Sequence, residues 1–502
     1  MSLPFDNERY LTAQTEQILK RVNAGQGRLF LEFGGKLIGD FHAARILPGF
    51  DPDVKLHLLE KLASQADILI CINADDIEHQ RVRADFGITY DNASLKLIDD
   101  LRAHGIDVTA VIVNRFHGQA SVKAYQDRLA RHGIKVYLWG DIAGYPNNIE
   151  HVVSPEGFGA QEYVPVTKPL VVVTAPGPNS GKMNVCLTEM YHEAKRNGAA
   201  RYAKFETFPV WNLPLSHPVN IAYESATADL MDNNAMDNFH YDAYGIAAVN
   251  YNRDLQAFPL LRTLITKITG STEGYQSPTD MGVNCVAQGI VDDEKVREAA
   301  NQEIIRRYFQ YNADFHLGRA TEQTVARAEE LIHKAGLETT DRKVVAAARE
   351  AAQRCEEAHG GDHGVCCGAA IQLPDGSIVT GKNSSLMHST ASMILNAAKK
   401  LAGIPDDRHL LPEDIMNSVA VFKNDLGTNE RVSLNLSEAL IVLIVSAARD
   451  SAAKWALEAL PRLKRCDVHL SHLPGSGDAA GLRRLGISFT YDPLQPTKKL
   501  FP

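Results

Sequence analysis

The chain has 502 residues, 45% hydrophobic and 23% charged, a globular balance over a length that predicts about two to four domains. Its net charge of −9, without a long run of Lys or Arg, argues against a nucleic-acid partner, which needs a basic footprint to displace phosphate counterions. No apolar run nears the roughly 18 to 20 residues that cross a bilayer, the first residues lack a signal pattern, and the seven cysteines form no disulfide framework. The expectation is a cytoplasmic protein without a membrane partner.

In chain order, 28–33 reads as a strand, 54–63 as a helix and 67–73 as a buried strand. Helices over 95–104 and 121–132 alternate with strands over 108–114 and 135–139. Continuous apolar strands separated by helices predict a mostly parallel, doubly wound α/β sheet. A Gly- and Pro-punctuated stretch, 140–169, leads to the next strand, Leu170-Val-Val-Val-Thr174.

The residues after that strand, Ala175-Pro-Gly-Pro-Asn-Ser-Gly-Lys182, form a degenerate phosphate loop opening a helix. Met183, Cys186, Leu187, Met190, Tyr191 and Ala194 repeat at helical spacing, one apolar face for the sheet. The positive helix end and backbone N–H groups would then face an anion. Gly177, Asn179, Ser180, Gly181 and Lys182 are the candidate phosphate-binding residues. The match to G-x-x-x-x-G-K-[ST] fails twice: Pro176 stands where the motif has Gly, and Met183 replaces the hydroxyl that ligates Mg²⁺. The loop therefore implies a nucleotide or phosphate ligand, with Mg²⁺ only through other ligands such as Ser180 or Asn184. A second glycine pair, Gly34-Gly35 before Lys36, offers Gly35 and Lys36 as a smaller anion nest.

Residues 201–290 are polar and aromatic without clear periodicity, and long irregular stretches often carry chemistry. A phosphorylated substrate calls for a carboxylate base and a guanidinium, and Glu206, Asp280 and Arg253 are the candidate catalytic residues. Residues 291–358 read as amphipathic helices. The stretch His359-Gly-Gly-Asp-His363-Gly-Val-Cys-Cys367 has metal-binding residue types, but its spacing fits no zinc site, and no metal site is assigned. The organisation expected is an N-terminal α/β region over 1–290 (units 1–165 and 166–290), a helical segment over 291–358 and a C-terminal α/β domain over 359–502.

In the C-terminal domain, Gly368-Ala-Ala-Ile371, the Pro374-Asp-Gly376 turn and a helix opening at His388 are weakly similar to the three-layer cytidine-deaminase-like scaffold. Ser389-Thr390 follows His388 where such deaminases place a catalytic Glu, and 473–478 holds no cysteine, so the resemblance implies no zinc chemistry. Over nearly its full length the chain resembles a bacterial family, uncharacterised, with a domain of unknown function. The resemblance rests on Glu32-Phe-Gly-Gly-Lys36, Phe41-His-Ala-Ala-Arg45, Pro48-Gly-Phe-Asp-Pro52, Thr174–Lys182, Lys204-Phe-Glu-Thr-Phe-Pro209, Val249-Asn-Tyr-Asn-Arg253 and Ser277-Pro-Thr-Asp280. It implies kinship and no reaction. Three functions stay open: an enzyme for a nucleotide or phosphorylated metabolite, a non-catalytic phosphate-sensing module, and a structural homo-oligomer with a ligand-free loop.

Overall fold

The computed structural model describes residues 3–83, 87–271, 275–362, 364–425 and 433–496. The chain forms two compact units, Met1–Thr227 with Asp232–Asn301, and Ala228–Met231 with Gln302–Pro502.

The first unit is built on a seven-stranded sheet whose paired strands are all parallel. Its strands are β1 (Arg28–Phe33), β2 (Ala66–Asn73), β3 (Ala110–Asn114), β4 (Val136–Leu138), β5 (Leu170–Thr174), β6 (Ala200–Phe205) and β7 (Gly282–Val283). In space they run β7-β6-β1-β5-β2-β3-β4. Every residue of β2, β3 and β5 is buried, which is why these strands read as unbroken apolar runs. One face packs Leu31, Ile70, Val111 and Val172 against helices Asn7–Asn23, Val54–Leu62, Tyr90–Ala103 and Ala120–Arg131. The opposite face packs Phe30, Leu69, Val171 and Val173 against helices Lys182–Asn197 and Asn252–Thr269. Each fully buried Val, Leu or Ile on these faces contributes about 1.5–3 kcal/mol, so the doubly wound layers hold the sheet rigid.

Two features of this sheet matter for function. From β2 the chain moves to β3 on one side, while from β5 it crosses to β6 on the other. The strand order therefore reverses between β5 and β2, and ligand crevices open at the carboxyl ends of strands at such reversals. In addition, Glu32 of β1 is the register partner of Val173 on one side and Lys204 on the other, so these side chains leave one face of the sheet in a row.

The segment 201–290 is more regular than its sequence suggests. It contains helices Pro218–Ala226 and Asn252–Thr269 and an antiparallel pair, Asn234–Met236 with Val249–Tyr251. Pro259 lies inside the second helix and interrupts the pattern that would have announced it.

The second unit contains helices Glu322–Lys334 and Lys343–Glu357 and a mixed sheet of β8 (Gly368–Gln372), β9 (Ile378–Lys382), β10 (Asp467–Leu470) and β11 (Ser488–Tyr491), ordered β9-β8-β10-β11. The β8–β9 hairpin and the β8–β10 pair are antiparallel, and β10–β11 is parallel. Ala369, Ile371, Val468 and Leu470 face helices Ser389–Ala402, Leu436–Ala447 and Ser451–Ala459, while Ala370 faces Val344 and Ala348 on the other side. The result is a three-layer α/β unit; its sheet order carries that class and stops short of the deaminase scaffold. Among the described residues no helix is long and apolar enough to cross a membrane.

Candidate functional site

The loop after β5 leaves the sheet at the point where the strand order reverses. Its conformation depends on Gly181, which sits before the helix at φ +85°, a left-handed geometry that costs Gly little. A Cβ there would lie 2.7 Å from Asn114 Nδ2. Asn114, at the end of β3, donates to the Ser180 carbonyl at 2.9 Å and accepts from Asn184 at 3.2 Å, pinning both ends of the turn. Gly177 packs under Tyr90, whose ring would be 2.1 Å from an added Cβ. Asn179 also takes a positive φ, +55°.

The helix Lys182–Asn197 begins without a side-chain cap. Its first-turn N–H groups are orphaned by helix geometry, and the helix dipole adds positive potential where they point. The Thr174 hydroxyl, at the end of β5, is buried with no hydrogen-bond partner. Lys182 is partly buried and forms no ion pair among the described residues. Its position shows in two buried thiols: burial pushes Cys71 and Cys186 up, and the Lys182 charge opposes that rise in both. Ser180 is already committed. The Ser180 hydroxyl donates to the Gly177 carbonyl at 2.6 Å, and Asn184 holds Asn114. Asn184 uses its Nδ2 in that bond, so its Oδ1 is the oxygen still open to a metal ion.

Next along the edge, on the same face, lies a cluster of charged groups. Glu32 acts electrostatically on Cys71 and Cys186, as Lys182 does, and on Lys204. The Tyr202 hydroxyl donates to Glu32 Oε2 at 2.7 Å. Lys204 Nζ lies 2.7 Å from Glu206 Oε1 and also contacts the Asp254 carboxylate and the Tyr251 hydroxyl. Burial pushes the Glu206 carboxyl up to about 8; Lys204 pulls against this, and the Asp254 carboxylate reinforces it. The same carboxylates, with Asp254 first, hold the Lys204 ammonium well above its usual range despite burial. One cation thus serves two carboxyl groups, and burial is what raises Glu206. The Lys204 and Asp254 side chains are 16% and 23% exposed, so the cluster meets solvent rather than being sealed in the core.

The candidate residues therefore separate. Glu206 lies in this cluster. Arg253 borders it, with its guanidinium 5.7 Å from the Tyr251 ring centroid and its Nε 2.6 Å from buried Asp232. Asp280 is used differently: it closes a capping box with Ser277 and accepts from the backbone of Gln276 and Ser277 and from the Tyr244 hydroxyl. All three of these bonds reach its Oδ2, and its Oδ1 lies 3.9 Å from His240 Nδ1. Gly34 is required by packing, since a Cβ there would lie 2.6 Å from the Phe205 carbonyl. Gly35 has φ +70°, with Lys55 Nζ 3.0 Å from where its Cβ would be. Lys55 is neutralised by Asp40 at 2.7 Å, so that cation adds little to an anion nest at Gly35 and partly buried Lys36. His363 lies outside the described residues, and among those described no group of three His, Cys, Asp or Glu side chains is placed to hold a metal ion.

Sequence reading missed three residues that the fold brings to this edge. Glu32 and Lys204 needed the β1–β6 register to become neighbours. Arg115 directly follows Asn114 and adopts φ +59°, a strained conformation for a non-glycine residue. Its guanidinium stands 3.9 Å from Asp75 and 3.7 Å from Asp141, both loose contacts. No sequence signal marks such a backbone.

Comparison with known proteins also divides the chain in two, but between 336 and 340 rather than at 301–302. A family profile described as "Domain of unknown function DUF1846, N-terminal" matches residues 3–336, and one described as "Domain of unknown function DUF1846, C-terminal" matches residues 340–501. A UPF0371 protein of Clostridium botulinum (strain Alaska E43 / Type E3) is 47% identical over 100% of this chain and 99% of its own. A UPF0371 protein of Clostridioides difficile (strain 630) is 46% identical over 100% of both chains, and one of Clostridium tetani (strain Massachusetts / E88) is 46% identical over 100% and 99%.

Proposed function

Since the chain belongs, end to end, to the DUF1846 family, whose description names no reaction, we propose from its own geometry that it is an enzyme acting on a nucleotide or phosphorylated metabolite. The phosphate sits on the turn Gly177–Lys182, against the uncapped helix start and the Lys182 ammonium. Chemistry on the organic half falls to the neighbouring cluster. Glu206, protonated near neutral pH, acts as a general acid, or as a base after losing its proton. Lys204, held by the Tyr251 hydroxyl, positions it and balances the charge of Asp254. Arg115 supplies a second cation at the edge. The observation that carries this reading is an uncapped loop with an unpaired lysine after β5 and a carboxyl group of raised pKa after β6, two strands apart along one carboxyl edge of a parallel sheet.

A second reading, a phosphate-sensing module without turnover, is favoured by one specific feature. Met183 stands where the P-loop hydroxyl ligand for Mg²⁺ would be, and the Ser180 hydroxyl is turned to the Gly177 carbonyl. A thermal-shift screen of nucleotides and sugar phosphates on the wild type and Lys182→Ala tests what both readings share. A ligand at 100 times its Kd adds about 2.7 kcal/mol of stability, a gain that Lys182→Ala loses. If no phosphate compound shifts the wild type, both readings fail. Consumption of the bound compound on prolonged incubation, abolished in Glu206→Gln, selects the enzyme; an unchanged compound selects the module.

A further inference from the structure

Helix Leu436–Ala447 of the second unit is apolar on all its sides. From Ala439 to Ala447 it reads Ala-Leu-Ile-Val-Leu-Ile-Val-Ser-Ala, without a charged residue. Its one polar side chain there, Ser446, is buried and donates to the Val442 carbonyl at 2.7 Å. One side of the helix enters the core through Leu436, Ala439, Val442 and Leu443. The other side does not: Ile441, Ile444 and Val445 are 61%, 55% and 51% exposed, and Ala448, just past the helix end, is exposed as well. These positions are i, i+3, i+4 and i+7, one apolar stripe along the outward face. Helix Ser451–Ala459 packs against this helix and adds Trp455, 57% exposed.

Helix Glu322–Lys334, in the same unit, has an ordinary solvent face. Its exposed positions include Glu322, Gln323, Glu329, Glu330 and Lys334, while Ala328, Leu331 and Ile332 are buried. A helix that is apolar all round is ordinarily covered all round, because branched aliphatic side chains gain by leaving water. At the exposures given, Ile441, Ile444, Val445 and Trp455 together present roughly 450 Å² of apolar surface. Two copies closing on one another remove about 900 Å², before any flanking residue is counted, against the roughly 1,000 Å² at which specific interfaces begin.

The stripe also fits itself. Across a two-fold axis, where residue i touches residue j of the other copy, j touches i. The four positions are symmetric about the midpoint between Ile444 and Val445. An antiparallel pairing therefore sets Ile441 against Ala448 of the second copy, large against small, and Ile444 against Val445 of the second copy. No charge is buried by this contact, and the two helix dipoles oppose one another favourably. We propose that the outward face of helix Leu436–Ala447, with Trp455 on the helix packed against it, is a dimer interface whose occupant is the same face of a second copy of this chain.

Sedimentation velocity on the full chain, from about 1 to about 100 µM, tests this with Ile444→Glu and Ile441→Lys, two exposed positions where a charge leaves the core intact. The interface predicts a wild-type dimer and, in each variant, a dimer dissociation constant at least about tenfold higher, because each sets a charge in a closing apolar contact. Far-ultraviolet circular dichroism shows whether the variants are folded. A wild type that stays monomeric across the range overturns the proposal. So does a wild-type dimer that both folded variants retain with unchanged affinity, since its interface would then lie elsewhere.

Discussion

Lys204 Nζ lies 2.7 Å from Glu206 Oε1, yet Glu206 holds its proton up to about 8 because it is buried and Asp254 competes for the same cation. The relationship has a measurable sign. A carboxyl group whose folded pKa is raised binds a proton that the unfolded chain has already released. Its contribution to stability is complete below the ordinary 4.5 and is lost as pH rises to about 8. Urea unfolding at about pH 5 and about pH 8.5 should therefore show stability changing less favourably with rising pH in the wild type than in Glu206→Gln. That comparison removes the opposite contribution of the histidines His192, His217, His469 and His472, whose imidazoles burial lowers. Glu189, which burial also raises to about 8, contributes in the same direction and keeps part of the slope in that variant. An identical slope in Glu206→Gln would mean that Glu206 is ionised through the window.

Gly181→Ala should damage the loop more than its size suggests. The backbone must hold φ +85° with a Cβ 2.7 Å from the Asn114 amide, which is itself held by Ser180 and Asn184. Strain and overpacking at such a site cost about 1–3 kcal/mol each, so a lower urea midpoint and weaker phosphate binding are expected together. Loss of stability with unchanged phosphate affinity would separate the turn from the ligand.

Phosphate binding at the loop should survive EDTA. Met183 has no hydroxyl, and the Ser180 hydroxyl is directed to the Gly177 carbonyl at 2.6 Å. The affinity measured with and without chelator should agree. A strong dependence on Mg²⁺ would point to another ligand, such as Asn184 Oδ1, and require a different account of the site.

Asp280→Ala should behave as a lost helix cap. Its carboxylate accepts from Gln276, Ser277 and Tyr244, and Ser277 reciprocates. A stability loss of about 0.5–2 kcal/mol, with phosphate binding kept, is the expected result. A folded Asp280→Ala protein that no longer bound phosphate compounds would return Asp280 to the site.

The legible part of this fold was the part whose physics is local. Leu170–Thr174 and the helical face from Met183 to Ala194 announced the strand–loop–helix, and the structure has both. Ser277-Pro-Thr-Asp280 carries a local signal too, a capping box, which forms at helix Pro278–Met281. The charge cluster was not legible, because Glu32 and Lys204 come together through a register between strands more than a hundred and sixty residues apart in sequence. Lys204 and Asp254 likewise meet across the irregular segment that Pro259 disguises. Arg115 stayed hidden because a left-handed backbone at a non-glycine residue leaves no trace in composition or spacing.

The central claim is that Lys182 and its uncapped helix start receive a phosphate group. Its most direct test is calorimetric titration of the compound giving the largest thermal shift, into the wild type, Lys182→Ala and Lys182→Arg. The account predicts that Lys182→Ala loses at least about tenfold in affinity, close to the contribution of one charge-assisted hydrogen bond, with Lys182→Arg intermediate. Equal affinity in all three folded proteins would contradict it.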